Sequence, residues 1–398
     1  MRIVRKLLSF CFFARARVNV FTISKKCAIL VAIYYGALVM KKLLAFIALV
    51  MSSILLIGCS GGAPALSLKS YWLDSDAFVD VQPIDETCTY TVTHKENDGN
   101  NRNPMLSVDY NEGATYVVNI KNVTKASDPV LGAMESIADG SYYRLTSTFE
   151  NVSGTYHYDP SLGKDASKKQ DVAFSGDYVR SVVYFKDTLN SLLPVYSVKQ
   201  VRSTSPMITG GISANPAGYV FKTLAYEIVS EYADVAKVTF TSKMDTVDVD
   251  AEEKAEIEDY LAALAGTHTI KKYNKKSVRF FDNEQILFAG RAFTLDKGFS
   301  GTFRTIDLTS NVKSAVKVSM TTASKNAKIE IKGLNVDFKG TERTSFNCIA
   351  LNFGLSSGGQ TKTATYAIDD GDRHVMVRYS TPISDKLGSL VYTLVSVA

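Results

Sequence analysis

The chain has 398 residues, 46% hydrophobic and 21% charged, with 25 glycines and 9 prolines spread along it. That balance excludes a disordered, collagenous or low-complexity chain and leaves room for one large or two medium folded domains. The formal charge of +5 would point to an acidic partner, but residues 1–58 hold nine basic side chains (Arg2, Arg5, Lys6, Arg15, Arg17, Lys25, Lys26, Lys41, Lys42) and no acid; taking those nine from 45 leaves 36 basic against 40 acidic, a net charge near −4. The basicity belongs to the N-terminal segment, so no nucleic-acid partner is expected.

Residues 1–39 contain an apolar run, Cys27 to Val39, too short to supply the roughly 20 residues of a bilayer-spanning helix. Met40 is followed by Lys41 and Lys42, an uncharged run from Leu43 to Leu56, and the tetrapeptide Leu56-Ile57-Gly58-Cys59. This resembles a bacterial lipoprotein signal peptide with its lipobox. Leu56 is the apolar residue three places before the cysteine, Gly58 the small residue that lets a peptidase reach the backbone, and Cys59 the thiol that takes diacylglycerol. The resemblance implies cleavage between Gly58 and Cys59 and an anchor at Cys59. Two or more acyl chains, at about 0.8 kcal/mol per buried CH₂, hold a protein durably to a membrane. The expected location is the extracytoplasmic face of the cell membrane. In a two-membrane host it is the outer membrane, because Ser60 is not the aspartate that retains lipoproteins at the inner one. A signal of ordinary length starts at Met40, so translation is expected to begin there and residues 1–39 to come from an over-extended reading frame. The expected organisation is then an extension over 1–39, a signal over 40–58, a flexible tether over 59–66 built from Ser60-Gly61-Gly62-Ala63-Pro64-Ala65, and a β-rich extracytoplasmic domain over 67–398, in one or two lobes.

Trp72, Leu73, Phe78 and Val79 are the first side chains expected to be buried. Beyond them, Cys88, Tyr90 and Val92 alternate with Thr87, Thr89, Thr91 and Thr93, the period-two pattern of a strand with one apolar face. The alternation recurs at Tyr116-Val118-Ile120, Val172-Phe174, Val182-Tyr184, Ile329-Ile331 and Val336-Phe338. Turn signals separate the runs at Asn97-Asp98-Gly99, Asp139-Gly140, Gly210-Gly211, Ser357-Gly358-Gly359 and Asp370-Gly371. Strand, turn and strand at this spacing predict antiparallel sheets joined by hairpins. Asp171 to Lys186 has no breaker but Gly176, where a long strand bends. The predicted fold class is mainly β: a large curved antiparallel sheet, half-barrel or sandwich-like, with two or three short helices. One helix is predicted from its cap Asp250, through the acids Glu252 and Glu253, to Gly266, with Ile257, Leu261 and Leu264 at i, i+4 and i+7. Another is predicted over Asn283 to Phe293, capped by Asp282, with Ile286, Leu287 and Phe293 as its apolar side. Such helices can cover the open face of a curved sheet.

Few residues carry the marks of chemistry. Setting aside Cys11, Cys27 and Cys59 leaves Cys88 and Cys348, and an extracytoplasmic compartment permits a disulfide between them. Two separate buried thiols are the alternative; the choice turns on whether the Cα atoms come within about 7 Å. His94, His157, His268 and His374 stand in no metal-ligand spacing. Gly354-Leu355-Ser356-Ser357-Gly358 has the letters of a nucleophile elbow, but strand patterns on both sides predict a hairpin loop rather than the required strand-to-helix turn. Asp245, Asp248, Asp250, Glu252 and Glu253 lack the glycine and terminal glutamate of a calcium loop and read as an acidic helix start. Asp369-Asp370-Gly371-Asp372 reads as a tight turn. No catalytic residue, metal site or cofactor is predicted. The 21 tyrosines and 20 phenylalanines suit sheet packing, and some could line a groove for an apolar ligand.

Several stretches are similar to uncharacterised half-barrel envelope proteins that bind lipids or lipoproteins, including the Lol-type lipoprotein carrier and its lipidated acceptor. They are Tyr184-Phe185 with Leu193-Pro194-Val195-Tyr196-Ser197, Asp282-Asn283-Glu284-Gln285 with Arg291, and Ala364-Thr365-Tyr366 with Asp370, Arg373 and Leu387-Gly388-Ser389-Leu390. The resemblance covers much of residues 140–398. It implies a half-barrel presenting an apolar groove. The expected function is that of a membrane-anchored, non-enzymatic lipoprotein that binds a lipid or other hydrophobic ligand; the alternative is a structural or adhesive envelope protein that binds a protein or glycan.

Overall fold

In a computed structural model the chain is described at residues 85–160, 169–188, 191–209, 218–248, 251–274, 280–292, 300–306, 314–323, 328–355, 361–368 and 374–398. All of these lie within Pro64–Ala398, which forms one compact unit.

Strand β1 (Asp85–Lys95) keeps the predicted alternation, with Cys88 and Tyr90 buried and the threonines partly or fully exposed. β2 (Leu106–Tyr110) and β3 (Thr115–Thr124) follow. The Asn97-Asp98-Gly99 turn does not close a hairpin: β1 pairs with β3, while β2 pairs with β4 (Ser141–Tyr158). Before β4 stands a helix the sequence pattern did not predict, α1 (Pro129–Gly132), whose cap Asp128 accepts from the Val130 and Leu131 N–H groups at 3.0 and 3.1 Å. β4 has 18 residues, β5 (Gln170–Thr188) and β6 (Ser191–Thr209) have 19 each, and β7 (Gly218–Tyr232) has 15. Ordinary strands have about 5–6, so the twist of such strands accumulates into curvature. β5 bends at Gly176, as predicted, with φ +70°; in β4 opposite, Asn151 takes φ +59° and the register shifts on both sides of Val152.

β8 (Ala236–Asp248) leads into helix α2 (Ala251–Leu264) and β9 (Gly266–Thr269). Ile257, Leu261 and Leu264 are buried against Phe240 of β8, each burial contributing about 1.5–3 kcal/mol relative to exposure. Gly266 ends the helix with φ +88°, as its position suggested; the predicted cap Asp250 is outside the described residues. The second predicted helix is a segmented one: a 3-10 turn (Asn283–Gln285), α3 (Ile286–Ala289) and another 3-10 turn (Gly290–Ala292), opened by Asp282 in a capping box with Gln285. Seven strands complete the chain: β10 (Ser300–Thr305), β11 (Val316–Thr322), β12 (Lys328–Phe338), β13 (Thr341–Leu355), β14 (Lys362–Ala367), β15 (Met376–Pro382) and β16 (Ser389–Val397).

These strands form a single sheet in the order β10-β11-β13-β14-β15-β16-β1-β3-β4-β5-β6-β7-β8-β9. β12 lies off this path. It pairs antiparallel with β13 and parallel with β16 through Asp337 and Phe338, so β12 to β16 close a five-stranded ring. The two ends of the long path also meet. Lys271, just past β9, bridges Ser314, just before β11, and Ala315 N–H donates to Lys271 O at 2.9 Å. Two isolated parallel bridges, Lys271↔Ser314 and Phe280↔Arg304, thus link the region just past β9 to the β10–β11 end of the path.

The largest core cluster fills the space between β1, β3, β4 and β5 on one side and β11 to β16 on the other. Long strands are covered on both faces. Val183 and Phe185 of β5 enter this core, whereas Tyr184 and Val182 pack outside with Leu131 of α1. The one-faced pattern expected at Val182-Tyr184 is therefore only half of that strand's apolar surface, and Ile329, placed on an apolar face with Ile331, is 41% exposed. Cys88 and Cys348 both enter the core but are not joined in a disulfide. Each thiol has its own acceptor, Glu86 Oε1 at 3.7 Å and Phe346 O at 3.5 Å, so of the two readings it is the separate buried thiols that the structure contains.

Candidate functional site

The segment from Phe281 to Ala292 crosses the interior like a strut, and its polar groups explain why. Phe281 N–H donates to Arg304 O of β10 at 3.0 Å. Asp282, 4% exposed, accepts from Ser197 Oγ of β6 at 2.6 Å and Tyr232 Oη of β7 at 2.5 Å. Burial pushes its carboxyl above the ordinary aspartate value, opposed by those two hydroxyls. Gln285 Nε2 donates to Leu192 O at 3.0 Å, and Tyr366 Oη of β14 to Leu287 O at 2.8 Å. Tyr366 packs so closely over Gly290 that a Cβ there would collide with its phenol ring. At the far end Arg291 Nη1 donates to Glu86 Oε1 of β1 at 2.7 Å, with side chains only 5% and 3% exposed. The strut thereby ties together strands that are far apart in the chain.

Beside it lies a cavity of about 320 Å³, within the range of roughly 300–1,000 Å³ typical of small-molecule sites. Its lining comes from both sides of the sheet: Tyr116, Phe149, Val179 and Lys199 from β3 to β6, and Val318, Phe353, Lys362, Tyr379 and Tyr392 from β11 to β16, with Glu284 and Leu287 from the strut. Tyr392 holds the two walls together at the bottom. Its ring centroid is 5.2 Å from those of Tyr116 and Tyr379 and 5.6 Å from that of Phe149, in tilted and edge-on arrangements that favour aromatic contact. Val318, Tyr379 and Tyr392 are buried, whereas Asn283 and Lys362 are exposed, which places the mouth at the charged end. Burial raises the Tyr116 and Tyr392 phenols, so both remain neutral donors at ordinary pH.

The charged groups at that end are Lys199, Glu284 and Lys362. Lys199 Nζ lies 2.5 Å from Glu284 Oε1, with side chains 24% and 17% exposed, and Asn283 Nδ2 also donates to that oxygen at 3.1 Å. Burial alone would raise the Glu284 carboxyl. The Lys199 ammonium and its hydrogen bond outweigh burial and hold the group below the ordinary glutamate value, with Lys362 adding to the effect. Burial likewise lowers the Lys199 ammonium, and Glu284 more than restores it.

Of the sequence-predicted site residues, Cys88 and Cys348 are described and do not line this cavity. Leu56, Ile57, Gly58 and Cys59, the whole of residues 1–66, and Trp72, Leu73, Phe78 and Val79 lie outside the described residues. The four histidines are dispersed: His94 Nε2 is 2.7 Å from Leu387 O, His268 Nε2 is 2.8 Å from Leu264 O, His374 Nδ1 is 3.1 Å from Arg291 O, and His157 sits between Asp171 and Asp109 at 2.8 and 3.1 Å. Gly354 and Leu355 end β13, whose antiparallel neighbour β14 is a strand and not a helix, and Ser356, Ser357 and Gly358 lie outside the described residues. No group of metal-ligating side chains is found among the described residues, and no helix among them is long and apolar enough to cross a membrane. The sequence reading gave no role to Lys199, Lys362, Glu86 or Tyr392. A signal did exist for Lys199: it shares parity with the inward Ser197 and Val201 of β6, so a charged residue sits on the buried face of a strand.

No protein-family model matches the chain, and no curated protein does. Among solved structures it is similar to a β-barrel-like protein, a domain of unknown function (DUF1849) from Brucella abortus, at 7% identity and a TM-score of 0.34, covering 79% of this chain and 97% of that one.

Proposed function

We propose that this protein is a membrane-anchored extracytoplasmic lipoprotein, tethered through Cys59, that acts without enzymatic chemistry by holding an apolar ligand inside its curved sheet. The observation that carries the ligand reading is the cavity of about 320 Å³ with an aromatic and aliphatic floor and a single charged end. The lipobox Leu56-Ile57-Gly58-Cys59 supports the tether. The large apolar side chains exposed among the described residues are Val130 on α1, Val235 in the turn between β7 and β8, Tyr260 on α2 and Ile329 on β12, which gives less support to an adhesive surface.

Two measurements test the two halves. Cells labelled with radioactive palmitate should show a labelled band that disappears with Cys59→Ala; undiminished incorporation refutes the tether. Native mass spectrometry of Pro64–Ala398 should show co-purifying lipid or uptake of added fatty acid; recovery of only the bare mass under both conditions refutes the ligand.

A further inference from the structure

Lys199 and Lys362 face one carboxylate, that of Glu284, across the mouth of the cavity, and among the described residues Glu284 is the only acid in its lining. Among the described residues the lining therefore carries one net positive charge, at the end where Asn283 and Lys362 are exposed, while Val318, Phe353 and Tyr392 are buried. An ammonium has three donors, and among the described residues Lys199 gives one of them to Glu284. Lys362 is exposed on β14 and reaches the same carboxylate only through its field. The second basic group is thus in position to meet an anion arriving from solvent without first breaking the Lys199–Glu284 pair.

Resting on the apolar-ligand function proposed above, we infer that the cavity takes single-tailed amphiphiles with an anionic head, carboxylate or phosphate. The head is held by Lys362 and Lys199 at the mouth, and the tail lies among Phe149, Val179, Val318 and Phe353. A neutral head leaves the excess charge of the mouth unanswered. A cationic head is repelled by it. The Arg291–Glu86 pair at the other end of the strut offers no such site, because its side chains are 5% and 3% exposed and the cavity lining does not include them.

The test keeps the tail constant and changes the head. Pro64–Ala398, a compact unit with its own core, is titrated calorimetrically with dodecanoate, dodecyl phosphate, dodecanol and dodecyltrimethylammonium below their micelle concentrations. At least one anion should bind about tenfold or more tightly than dodecanol, the scale of one charge-assisted hydrogen bond, and the cation most weakly. Preference for dodecanoate alone assigns the head as a carboxylate, for dodecyl phosphate alone as a phosphate, and for both as any single-tailed anion. Lys362→Gln should lose most of that preference, whereas Lys332→Gln, an exposed lysine on β12 away from the cavity, should keep it. Dodecanol binding as tightly as both anions overturns the inference while leaving the apolar-ligand function standing, as does a Lys362→Gln variant indistinguishable from Lys332→Gln. Failure of all four tails to bind overturns both. Melting curves of each variant confirm that it is folded.

Discussion

The strut carries two ion pairs, one near each end, and they differ in the single respect that decides what an ion pair can do. At the Arg291 end the pair is sealed: guanidinium and Glu86 carboxylate are almost wholly withdrawn from water, and the Cys88 thiol is packed against the same carboxylate. At the Glu284 end the pair with Lys199 is about a fifth exposed and borders a cavity. A sealed pair cannot exchange partners without an isolated charge appearing in the core, which costs far more than the pair contributes. A half-wet pair can. The Arg291–Glu86 pair holds the strut against β1, whereas the Lys199–Glu284 pair stands at the cavity where the proposed ligand would reach it.

The comparison breaks most readily at the sealed end. Arg291→Met should destabilise Pro64–Ala398 by about 3–5 kcal/mol in urea unfolding, because Glu86 is left buried without its cation, and a Glu86→Leu/Arg291→Met double variant should recover much of the loss. A loss near zero for the single variant would place that pair in water and end the distinction. Next in size is Gly290→Ala. Its methyl group must displace the Tyr366 ring and the hydrogen bond to Leu287, and overpacking of this kind costs about 1–3 kcal/mol. Lys199→Met should cost less than Arg291→Met, about 1–2 kcal/mol, since solvent can reach the abandoned Glu284 carboxylate. The pH response has a defined sign there. Glu284 has a folded-state value below the ordinary 4.5, so its contribution is present above that value and lost as pH falls through the lowered one. Glu284→Gln should flatten that acid limb of the unfolding midpoint. Asp282 acts oppositely, its raised carboxyl favouring the folded state at low pH and withdrawing that support as pH rises through its raised value. The smallest effect is a reactivity. Burial and the Glu86 carboxylate push the Cys88 thiol up to about 12, so alkylation at neutral pH should leave it unlabelled until the protein is unfolded. Labelling of the folded protein would show that the sealed end opens.

Local devices were legible in the sequence, and their partners were not. Ile257, Leu261 and Leu264 announced α2 by spacing, Asp282 announced the strut's start as a cap, and Gly176 marked the bend in β5, because each depends on neighbours a few positions away. The closure of the sheet depends on other things. β12 reaches β16 through Asp337↔Ser396 and Phe338↔Val397, and Glu86 reaches Arg291 across 205 positions; no periodicity encodes either. The cavity was anticipated only as a groove lined by aromatic residues. The charged mouth was missed because Lys199, Glu284 and Lys362 come from three separate elements, and each alone reads as a solvated charge. Counting cysteines left Cys88 and Cys348 open between a bridge and two separate thiols, because only the fold shows that each sulfur has a different acceptor.

The pairing of β1 with β16 joins Thr91 to Thr393 across 302 positions. A ribosome adding roughly 5–20 residues per second leaves β1 waiting on the order of tens of seconds for that neighbour to be synthesised. During that interval one flank of an early strand has no native mate, and the nearest substitute is the same strand on another nascent copy. Until β16 is in place, that flank of β1 is an unpaired strand edge, the kind of surface that templates association with another chain.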